Sequence, residues 1–439
     1  MPPPWFRPHP LLDAVLLDLD NTLCPTDHLQ RIRMHGDRAQ LAPHLPGLCA
    51  YPGIDDVLAG LAGVIPVGVV SRAHRWYMED VIGRLFPGFP WAATVSYDDV
   101  VNQKPHPESL LLAAQRLGLQ DRSRIAYLGD SQSDIEAAYH AGMRTVLCTW
   151  EPAPYLSARA QQMVPDAVLA QPSDVLAYVA DPEAFLPHLE ARLAQRGPPA
   201  GTRRLAGDVG GPGVAFRVDV LGRYFADVGP TLALHERHLL SRWMDLKDEP
   251  GRFEHPVWVS AVAEALAATV QEQQIDTVSV IPAKPAGTPR MERLLAGVQP
   301  LLAQAGGPAV RFAPGLLAFT ADAARIKHMG QRDRAAEIER SLSRAGNCFG
   351  ERVLVMDDVL TTGASLRRAR SLLLQGGAAY VSGLALAKTV SGYQFSVDPE
   401  SRTCKLCGRP MKLTRNRYGG RFWGCVGYWD TECRYTENV

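Results

Sequence analysis

Short apolar runs that end in polar residues recur through the first third of the chain. Residues 14–17, 67–70 and 125–128 are examples, and stretches with helical spacing lie between them. Continuous apolar runs of this length are typical of strands buried on both faces, and strands that alternate with helices form parallel sheets. The pattern therefore predicts an α/β, Rossmann-like domain over residues 11–180, with its ligands beyond the carboxyl ends of the strands.

The same pattern returns in a second α/β domain, predicted over residues 214–395. Alternating residues at 216–220 predict an edge hairpin, residues 255–273 a helix, and residues 277–282 and 353–356 two strands. Breaker-rich stretches at 196–202 and 207–213 flank a short predicted helix at 182–195. Residues 181–213 are therefore predicted to be a linker.

Composition narrows the class of protein. At 439 residues the chain is long enough for two or three domains. Its 46 basic residues balance 46 acidic ones, so no overall excess of one charge indicates a nucleic acid or membrane partner. No targeting segment and no long uninterrupted apolar window are evident, which favours a cytoplasmic protein. Of the eight cysteines, four lie together in the tail. That clustering indicates a metal site and not a disulfide framework.

Polar residues follow each apolar strand of the first domain in a fixed order. They are Asp18 and Asp20, then Ser71, then Lys104, then Asp130 and Asp134. A carboxylate can attack phosphorus only if a cation offsets the repulsion between two anions, so acids that bind magnesium and a fixed lysine suit phosphoryl transfer. Each piece alone is equally compatible with a purely structural role, but the four together favour a catalytic site.

This order of residues resembles the haloacid dehalogenase superfamily of phosphohydrolases. The resemblance implies that Asp18 is the nucleophile that forms an aspartyl-phosphate and that Asp20 is the general acid and base. It implies that Ser71 and Lys104 bind the transferring phosphoryl group. Magnesium is assigned to the acids of the site, namely Asp18, Asp20, Asp130 and Asp134. The presence of Asp20 favours a phosphatase over the dehalogenase branch.

The spacing of these residues predicts little or no cap domain. Between Asp18 and Ser71 there is room for only one or two helices, such as residues 27–42, and between Ser71 and Lys104 only for a crossover. The site should therefore be open and accept bulky substrates, including polymer ends, because a small metabolite usually requires a lid that excludes water.

A second candidate site follows the strand at 353–356. A loop of small residues at a helix N-terminus offers unpaired N–H groups to an anion, while Asp357 and Asp358 before it would hold sugar hydroxyls or a metal. A buried strand that ends in an ordinary acidic turn is the alternative. The stretch resembles the ribose-phosphate motif of type I phosphoribosyltransferases, which bind phosphoribosyl pyrophosphate (PRPP) with magnesium. The resemblance implies that the two acids hold the ribose, and it assigns the 5′-phosphate to Thr361, Thr362, Gly363, Ala364 and Ser365.

Two other segments extend this resemblance. In phosphoribosyltransferases a loop after the first core strand binds pyrophosphate, and Lys284 is placed to help. Residues 325–332 resemble the mobile hood of the competence-related (ComF-like) branch, although Lys327 and Gln331 are equally compatible with solvated surface. No recognition element for a particular base is legible, so the acceptor stays open.

The tail, residues 402–439, has the pattern of a zinc ribbon. Its thiols are Cys404, Cys407, Cys425 and Cys433. Four thiolates complete a tetrahedral zinc shell without an open position, which makes the site structural. The tail resembles the C-terminal C4 zinc fingers of type I topoisomerases. Its cations, Arg417 and Arg421 among them, alternate with rings such as Trp423, a composition typical of single-strand binders. The alternative is that the rings only surround the metal.

Taken in this order, the domains resemble bacterial stress-response fusions. The sequence predicts a magnesium-dependent phosphomonoester hydrolase joined to a PRPP-binding transferase domain. The protein is expected to act on nucleotides or nucleic-acid ends and to contact single-stranded DNA or RNA through the zinc tail. The alternative is a purely metabolic nucleotide enzyme whose tail binds a protein partner.

Overall fold

The chain forms two compact units. The computed structural model describes residues 12–150, 160–194, 204–205, 216–249, 251–285, 287–304, 309–323, 331–390, 395–416, 418–428 and 433–439. The first unit takes the described residues of Met1–Phe185, Phe225–Glu236 and Val390–Val439. The second takes those of Leu186–Tyr224 and Arg237–Thr389.

A six-stranded parallel sheet forms the centre of the first unit. Its strands are β1 Ala14–Leu17, β2 Val67–Val70, β3 Ala93–Val95, β4 Ile125–Gly129, β5 Arg144–Cys148 and β6 Ala167–Leu169. They lie in the order β3-β2-β1-β4-β5-β6, so β1 is central. The helices are α1 Gln30–His35, α2 Arg38–Leu41, α3 Ile54–Leu61, α4 Arg75–Leu85, α5 Glu108–Arg116, α6 Gln132–Ala141 and α7 Asp174–Ala180. The predicted parallel α/β fold of this domain is confirmed.

Burial on both faces explains why β1 reads as an uninterrupted apolar run. Val15 and Leu17 pack into one core layer, while Ala14 and Leu16 pack into the layer on the opposite face. Because successive side chains of a strand alternate between faces, both layers need apolar residues. The carboxyl end of β1 lies between the ends of β2 and β4, the position where open parallel sheets bind ligands.

A mostly parallel sheet also forms the second unit. In chain order its strands are β7 Arg204–Leu205, β8 Val218–Val220, β9 Arg223–Phe225, β10 Thr277–Val280, β11 Arg311–Phe312, β14 Arg352–Leu360 and β15 Tyr380–Val390, whereas β12 Leu317–Phe319 and β13 Leu342–Arg344 form a separate antiparallel pair. The order is β11-β10-β14-β15-β8-β7. The helices are His188–Leu193, Leu239–Asp245, Pro256–Gln273, Arg290–Gln304, Gln331–Ser341 and Ala364–Gln375, and Leu232–Arg237 spans the unit boundary.

The segment predicted as an edge hairpin at 216–220 contains β8, which pairs antiparallel with β7 at the edge of the sheet and parallel with β15. Strand β9 pairs with β15 as well and not with β8. The alternation does not mark a solvent-facing side, because Asp219 is fully buried, where it accepts a hydrogen bond from Gln273 Nε2 at 3.0 Å. A polar residue with a buried partner looks like a solvent-facing one in the sequence.

Part of the segment predicted as a linker belongs to the core of the second unit. Leu189 of the helix His188–Leu193 is fully buried. Glu190 on the same helix accepts from Arg223 Nε at 2.9 Å and Nη2 at 2.5 Å, and its Oε2 lies 3.1 Å from His238 Nε2. Burial raises the pKa of Glu190, but Arg223 and His238 outweigh it and hold the pKa well below the usual 4.5.

Replacing Glu190 with Gln is expected to destabilise the second unit by roughly 3–5 kcal/mol at pH 7, because a buried guanidinium loses its counter-ion. Since the folded-state pKa is depressed, the contribution of Glu190 is present above the unfolded pKa and is lost as the pH falls. The difference between the two proteins should therefore narrow below about pH 4.5. Urea titrations, followed by hydrogen exchange of β8, measure the loss of stability at pH 7 and its decrease at low pH.

Glu264→Gln is the matched control for this prediction. Glu264 also pairs with an arginine of the helix His188–Leu193, Arg192, but it is exposed, so its loss should cost at most about 1 kcal/mol. Equal destabilisation by the two substitutions would contradict the assignment of a buried, structurally required ion pair.

A small antiparallel sheet forms the end of the chain. Its strands are β16 Arg402–Thr403, β17 Pro410–Arg415, β18 Arg421–Cys425 and β19 Thr436–Asn438. The segment before it is anchored within the first unit by Glu136 of α6, which is fully buried. Glu136 accepts hydrogen bonds from Ser396 N and Oγ, both at 2.6 Å, and from Val397 N at 2.9 Å. Among the described residues, no helix combines the length and apolar character needed to span a membrane.

Candidate active site and metal-binding clusters

Three carboxylates meet at the carboxyl end of the first sheet. Asp18 follows β1, Asp130 follows β4, and Asp134 lies in the first turn of α6. Oxygen atoms of the three acids lie within 4.8 Å of one another, and all three residues are buried. Gly129 permits this approach, since a Cβ there would lie 2.5 Å from Cβ of Asp134.

Lys104 is the cation of this cluster. Its Nζ donates to Asp18 Oδ1 at 2.6 Å, to Asp134 Oδ1 at 2.7 Å, to Tyr127 OH at 2.6 Å and to Val70 O at 3.2 Å. Burial lowers the pKa of Lys104, but Asp134 and Asp18 outweigh it and raise the pKa above its usual value. The lysine is therefore a permanent positive charge beside the predicted nucleophile.

The cluster carries more negative charge than Lys104 offsets. Burial, together with the neighbouring charge of Asp134, raises the pKa of Asp18 to about 7 and that of Asp130 to about 8, although Lys104 opposes both shifts. Burial also raises the pKa of Asp134, but Lys104 outweighs it and the pKa is lowered. Three buried oxygen donors with excess negative charge fit a hard divalent cation such as Mg²⁺.

Asp20 lies outside the three-acid cluster and contacts a different set of residues. Its carboxylate accepts from Thr26 Oγ1 at 2.6 Å, from Ser71 Oγ at 3.2 Å and from Tyr77 OH at 3.2 Å. Arg33 Nη1 of α1 lies 2.8 Å from Asp20 Oδ1. The structure therefore separates Asp20 from the other predicted magnesium ligands and places it, with Ser71, beside the short insert between β1 and β2.

The second predicted site lies at the end of β14. The prediction ended this strand before Asp357, whereas the strand continues to Leu360 because both acids stay in register with β15. Gly363 follows with a φ of 75°, a conformation that side chains disfavour, and the helix starts at Ala364. The structure thus brings the acid pair and the loop Thr361–Gly363 to one strand end.

Two cations that the sequence did not reveal contact Asp358. Lys247 Nζ donates to Asp358 Oδ2 at 2.8 Å, and Arg290 donates to the same oxygen from Nε at 2.9 Å and also from Nη2. Burial raises the pKa of Asp358, but the two cations outweigh it and the pKa is lowered. Burial, with Asp358 next to it, raises the pKa of Asp357 well above its usual value.

The other residues assigned to this site lie elsewhere or outside the described part. Lys284 Nζ lies 5.0 Å from the ring centroid of Phe319, and burial lowers the pKa of this lysine. Residues 324–330, which include most of the predicted hood, are outside the described residues, and Gln331 begins the helix Gln331–Ser341.

The four tail cysteines form one cluster. Cys404 Sγ lies 3.8 Å from Cys433 Sγ, and Cys407 Sγ lies 3.4 Å from Cys425 Sγ. Four sulfurs about 2.3 Å from zinc in a tetrahedron are about 3.8 Å apart, so the spacing fits a zinc site. The backbone N–H of Arg409 and the Cys425 thiol lower the pKa of Cys407 to about 7, which favours the thiolate that binds metal.

The rings and cations of the tail are divided between the metal cluster and the surface. Trp423 is only 4% exposed and packs with the cysteines, which for this ring matches the alternative that the rings surround the metal. Arg421 pairs with Glu236 of the first unit. Tyr418 is 80% exposed, whereas Arg417 lies outside the described residues.

Sequence reasoning missed five residues of these sites. They are Arg33, Tyr77, Tyr127, Lys247 and Arg290. A polar ring inside the apolar run of β4 was a usable signal for Tyr127, because a buried hydroxyl needs a partner. The other four had no local signal.

Comparisons with known proteins identify the first domain. Residues 33–148 match the family model described as haloacid dehalogenase-like hydrolase. The phosphoglycolate phosphatase of Escherichia coli (strain K12) is 32% identical over 146 residues, which are 33% of this chain and 54% of that protein. The protein of the same name from Shigella boydii is 29% identical over 174 residues, 39% of this chain and 66% of that protein. The chain thus spans about half to two thirds of the length of these curated relatives.

Solved structures are similar over a comparable share of the chain. A HAD-superfamily hydrolase from Geobacter sulfurreducens is 18% identical, covers 38% of this chain and 97% of its own, and has a TM-score of 0.29. On the family match, the N-terminal domain of the chain is a haloacid dehalogenase-like hydrolase domain. That part of the sequence-based prediction is confirmed, while the transferase domain and the zinc finger stay predictions.

Proposed function

We propose that the first domain hydrolyses phosphomonoesters with magnesium through an aspartyl-phosphate. The contact of Asp18 with Lys104, beside Asp130 and Asp134, carries this proposal. Magnesium held by these acids would offset the charge of the phosphoryl group. An Asp18 oxygen attacks phosphorus, and the bond from phosphorus to the ester oxygen breaks. Asp20 gives its proton to that oxygen.

The second half of the reaction uses the same residues. Asp20 takes a proton from water, the water oxygen bonds to phosphorus, and the bond to the Asp18 oxygen breaks, which releases phosphate. Lys104 stabilises the negative charge in both steps, since it donates to Asp18 in the free protein. The hydrogen bond from Ser71 to Asp20 supports a place for Ser71 next to the transferring group.

We infer that the substrate is a nucleotide or a phosphorylated nucleic-acid end. The segment between β1 and β2 holds the helices α1, α2 and α3 and two 3-10 helices, Asp27–Leu29 and Leu45–Gly47, and contains no further sheet. A small insert of this kind leaves room for a bulky leaving group. The names of the curated relatives favour a second candidate, 2-phosphoglycolate. Phosphate release from 2-phosphoglycolate, mononucleotides and 3′- and 5′-phosphorylated oligonucleotides separates the two. Preference for 2-phosphoglycolate would overturn the nucleotide assignment.

We propose that the second α/β domain binds PRPP. The acid pair at the end of β14 and the following loop, with Gly363 in a left-handed conformation at the start of a helix, support this ligand class. Asp357 and Asp358 would hold the ribose hydroxyls, and the backbone from Thr361 to Ser365 the 5′-phosphate.

Removal of this acid pair is expected to abolish PRPP binding. The double substitution Asp357→Ala and Asp358→Ala deletes the acceptors for two ribose hydroxyls, and calorimetry with PRPP and magnesium measures the result. The exposed adjacent pair Asp55 and Asp56, in the first turn of α3 in the first unit, provides a control with the same substitutions. An unchanged dissociation constant in the Asp357/Asp358 variant would show that this loop is not a ribose-phosphate site.

The proposed phosphatase activity and PRPP binding are compatible with two roles for the whole protein, which differ in what the tail binds. In one, the tail brings the protein to single-stranded nucleic acid; in the other, the enzyme is purely metabolic and the tail binds a protein partner. Exposed Tyr418 and Arg434 favour the first, whereas the pairing of Arg421 with Glu236 favours the second.

A further inference from the structure

Arg72 is an exposed arginine at the mouth of the first site. It follows Ser71 directly after the end of β2. The backbone is held on both sides of it, since Ser71 Oγ accepts the N–H of Ala73 at 3.0 Å and the N–H of Ser71 donates to Val95 O at 2.9 Å. Among the described residues, the Arg72 side chain forms no hydrogen bond and no ion pair. The loop therefore fixes the position of Arg72 and leaves its guanidinium available.

The next two cations along the chain are paired with acids. His74 Nδ1 lies 2.8 Å from Asp98 Oδ1, and Arg75 Nη2 donates to Asp99 Oδ1 at 2.7 Å. Arg72 differs from both, because no acid in the described part of the chain forms an ion pair with it. An arginine that is held at a strand end without a counter-ion can bind an anion from outside the protein.

The charge of Arg72 reaches across the catalytic cleft. Burial raises the pKa of Asp134, Lys104 and a hydrogen bond from Ser131 lower it more strongly, and the charge of Arg72 adds to this lowering. Asp134 follows β4, which lies on the opposite side of β1 from β2. Neighbouring strands are about 4.8 Å apart, so the ends of β2 and β4 are separated by about 10 Å. The guanidinium of Arg72 therefore extends towards the end of β1, where Asp18 lies.

Arg72 lies further out than the residues that would receive the phosphoryl group. Lys104 is 4% exposed and Asp18 is 6% exposed, whereas Arg72 is open to solvent. Asp20, the proposed general acid, accepts a hydrogen bond from Ser71 Oγ at 3.2 Å, so the ester oxygen of a substrate would lie next to the residue that precedes Arg72. The part of the substrate beyond that oxygen would therefore face Arg72.

A second anion on that part of the substrate would need a free cation. Four buried carboxylates already line the cleft, namely Asp18, Asp20, Asp130 and Asp134. Lys104 and Arg33 are engaged with these acids. Like charges a few ångströms apart repel one another, and a guanidinium offers paired donors that match the oxygens of a phosphate or carboxylate group. Arg72 has the charge and the position to compensate such an anion.

We propose that Arg72 binds a second anionic group of the substrate, carried by the leaving group beyond the ester oxygen. The inference rests on the proposed phosphomonoesterase activity and names the residue that makes this activity selective. Two sources share this chemistry. One is the phosphodiester next to the terminal phosphate of a nucleic acid, and the other is the carboxylate of 2-phosphoglycolate.

The test uses pairs of substrates that differ in the second anion. A 5′-phosphorylated dinucleotide is compared with the nucleoside 5′-monophosphate, and 2-phosphoglycolate with ethyl phosphate, by phosphate release from the full chain with magnesium. In the wild type, kcat/KM should favour the member with the second anion in at least one pair. Arg72→Ala should reduce that preference about tenfold to hundredfold, mainly through KM. Arg72→Lys should reduce it less, because an ammonium keeps the charge but loses the paired donors. The pair that responds identifies the source of the anion.

Arg122→Ala is the matched control. Arg122 is exposed and precedes β4 at the amino end of the sheet, so its removal takes away an equal charge far from the cleft and should leave the preference as in the wild type. An equal loss for both members of each pair, an unchanged preference in Arg72→Ala, or a wild type without any preference overturns the role of Arg72 alone. A wild type that hydrolyses neither these compounds nor a small chromogenic phosphomonoester overturns that role together with the proposed phosphatase activity.

Discussion

Replacement of Asp18 by Asn is expected to lower magnesium-dependent phosphate release by on the order of 10⁴-fold or more, because the amide cannot form the covalent intermediate. The substitution keeps the side-chain volume and removes one of three buried acids that repel one another, while Lys104 keeps its contact with Asp134. The protein should therefore stay folded, which circular dichroism checks. A colorimetric phosphate assay with a small chromogenic phosphomonoester measures the activity.

Asp13→Asn is the control with the same chemistry on the same strand. Asp13 precedes β1 at the end opposite to the site and pairs with Arg124 Nε at 2.6 Å on the surface. Its loss should change stability by at most about 1 kcal/mol and leave turnover intact. PRPP binding should be unchanged in the Asp18 variant, since the predicted ribose site lies in the other unit. Retained turnover in Asp18→Asn would remove Asp18 as the nucleophile.

The first site was largely predictable because parallel topology brings strand ends together. The apolar runs at 14–17 and 125–128, each followed by an acid, were sufficient to place Asp18 and Asp130 side by side, and Lys104 contacts the predicted nucleophile directly. The direction of the Asp20 side chain was not predictable, since it depends on Thr26 and Arg33 in the insert. Nothing in the local sequence distinguishes Arg33 from its exposed neighbour Arg31.

The cations at Asp358 were beyond sequence reasoning for a related reason. Lys247 is 111 residues and Arg290 is 68 residues away from Asp358 along the chain. Their neighbourhoods look like ordinary charged surface, and only the fold makes them partners. Lys284 looked better in the sequence because it stands in the expected loop, but its side chain lies over Phe319.

The burial of Trp423, in contrast, followed from a rule that was available in the sequence. Side chains two apart on a strand share a face, so Trp423 and Cys425 of β18 point the same way. A face that carries a metal-binding thiol is the inner face of a small ribbon. Trp423 therefore packs on the cluster, and the exposed Tyr418 is the better candidate for contact with a base.

The last prediction is that the ordered tail depends on metal. A segment this short has little apolar core besides Met411, Trp423 and the cysteines, so metal binding should supply most of its folding free energy, on the order of 10 kcal/mol. Chelation, or Cys407→Ser, should unfold residues 402–439, seen as a loss of hydrogen-exchange protection in β17 and β18. Zinc content is measured in the same samples.

The variant Cys407→Ser also tests whether the tail binds nucleic acid or a protein. Cys49→Ser, at an exposed cysteine outside the cluster, is the control and should leave both zinc content and tail protection unchanged. Hydrolysis of a small phosphomonoester should persist in Cys407→Ser, because Asp18 and Lys104 belong to the first sheet and its loops and not to the ribbon. If the tail anchors the enzyme on nucleic acid, binding of single-stranded oligonucleotides should disappear with the zinc and weaken with salt in the wild type. Oligonucleotide binding that survives the loss of the ribbon would contradict the anchor, and the interpretation of the tail as a protein-docking module would then be favoured.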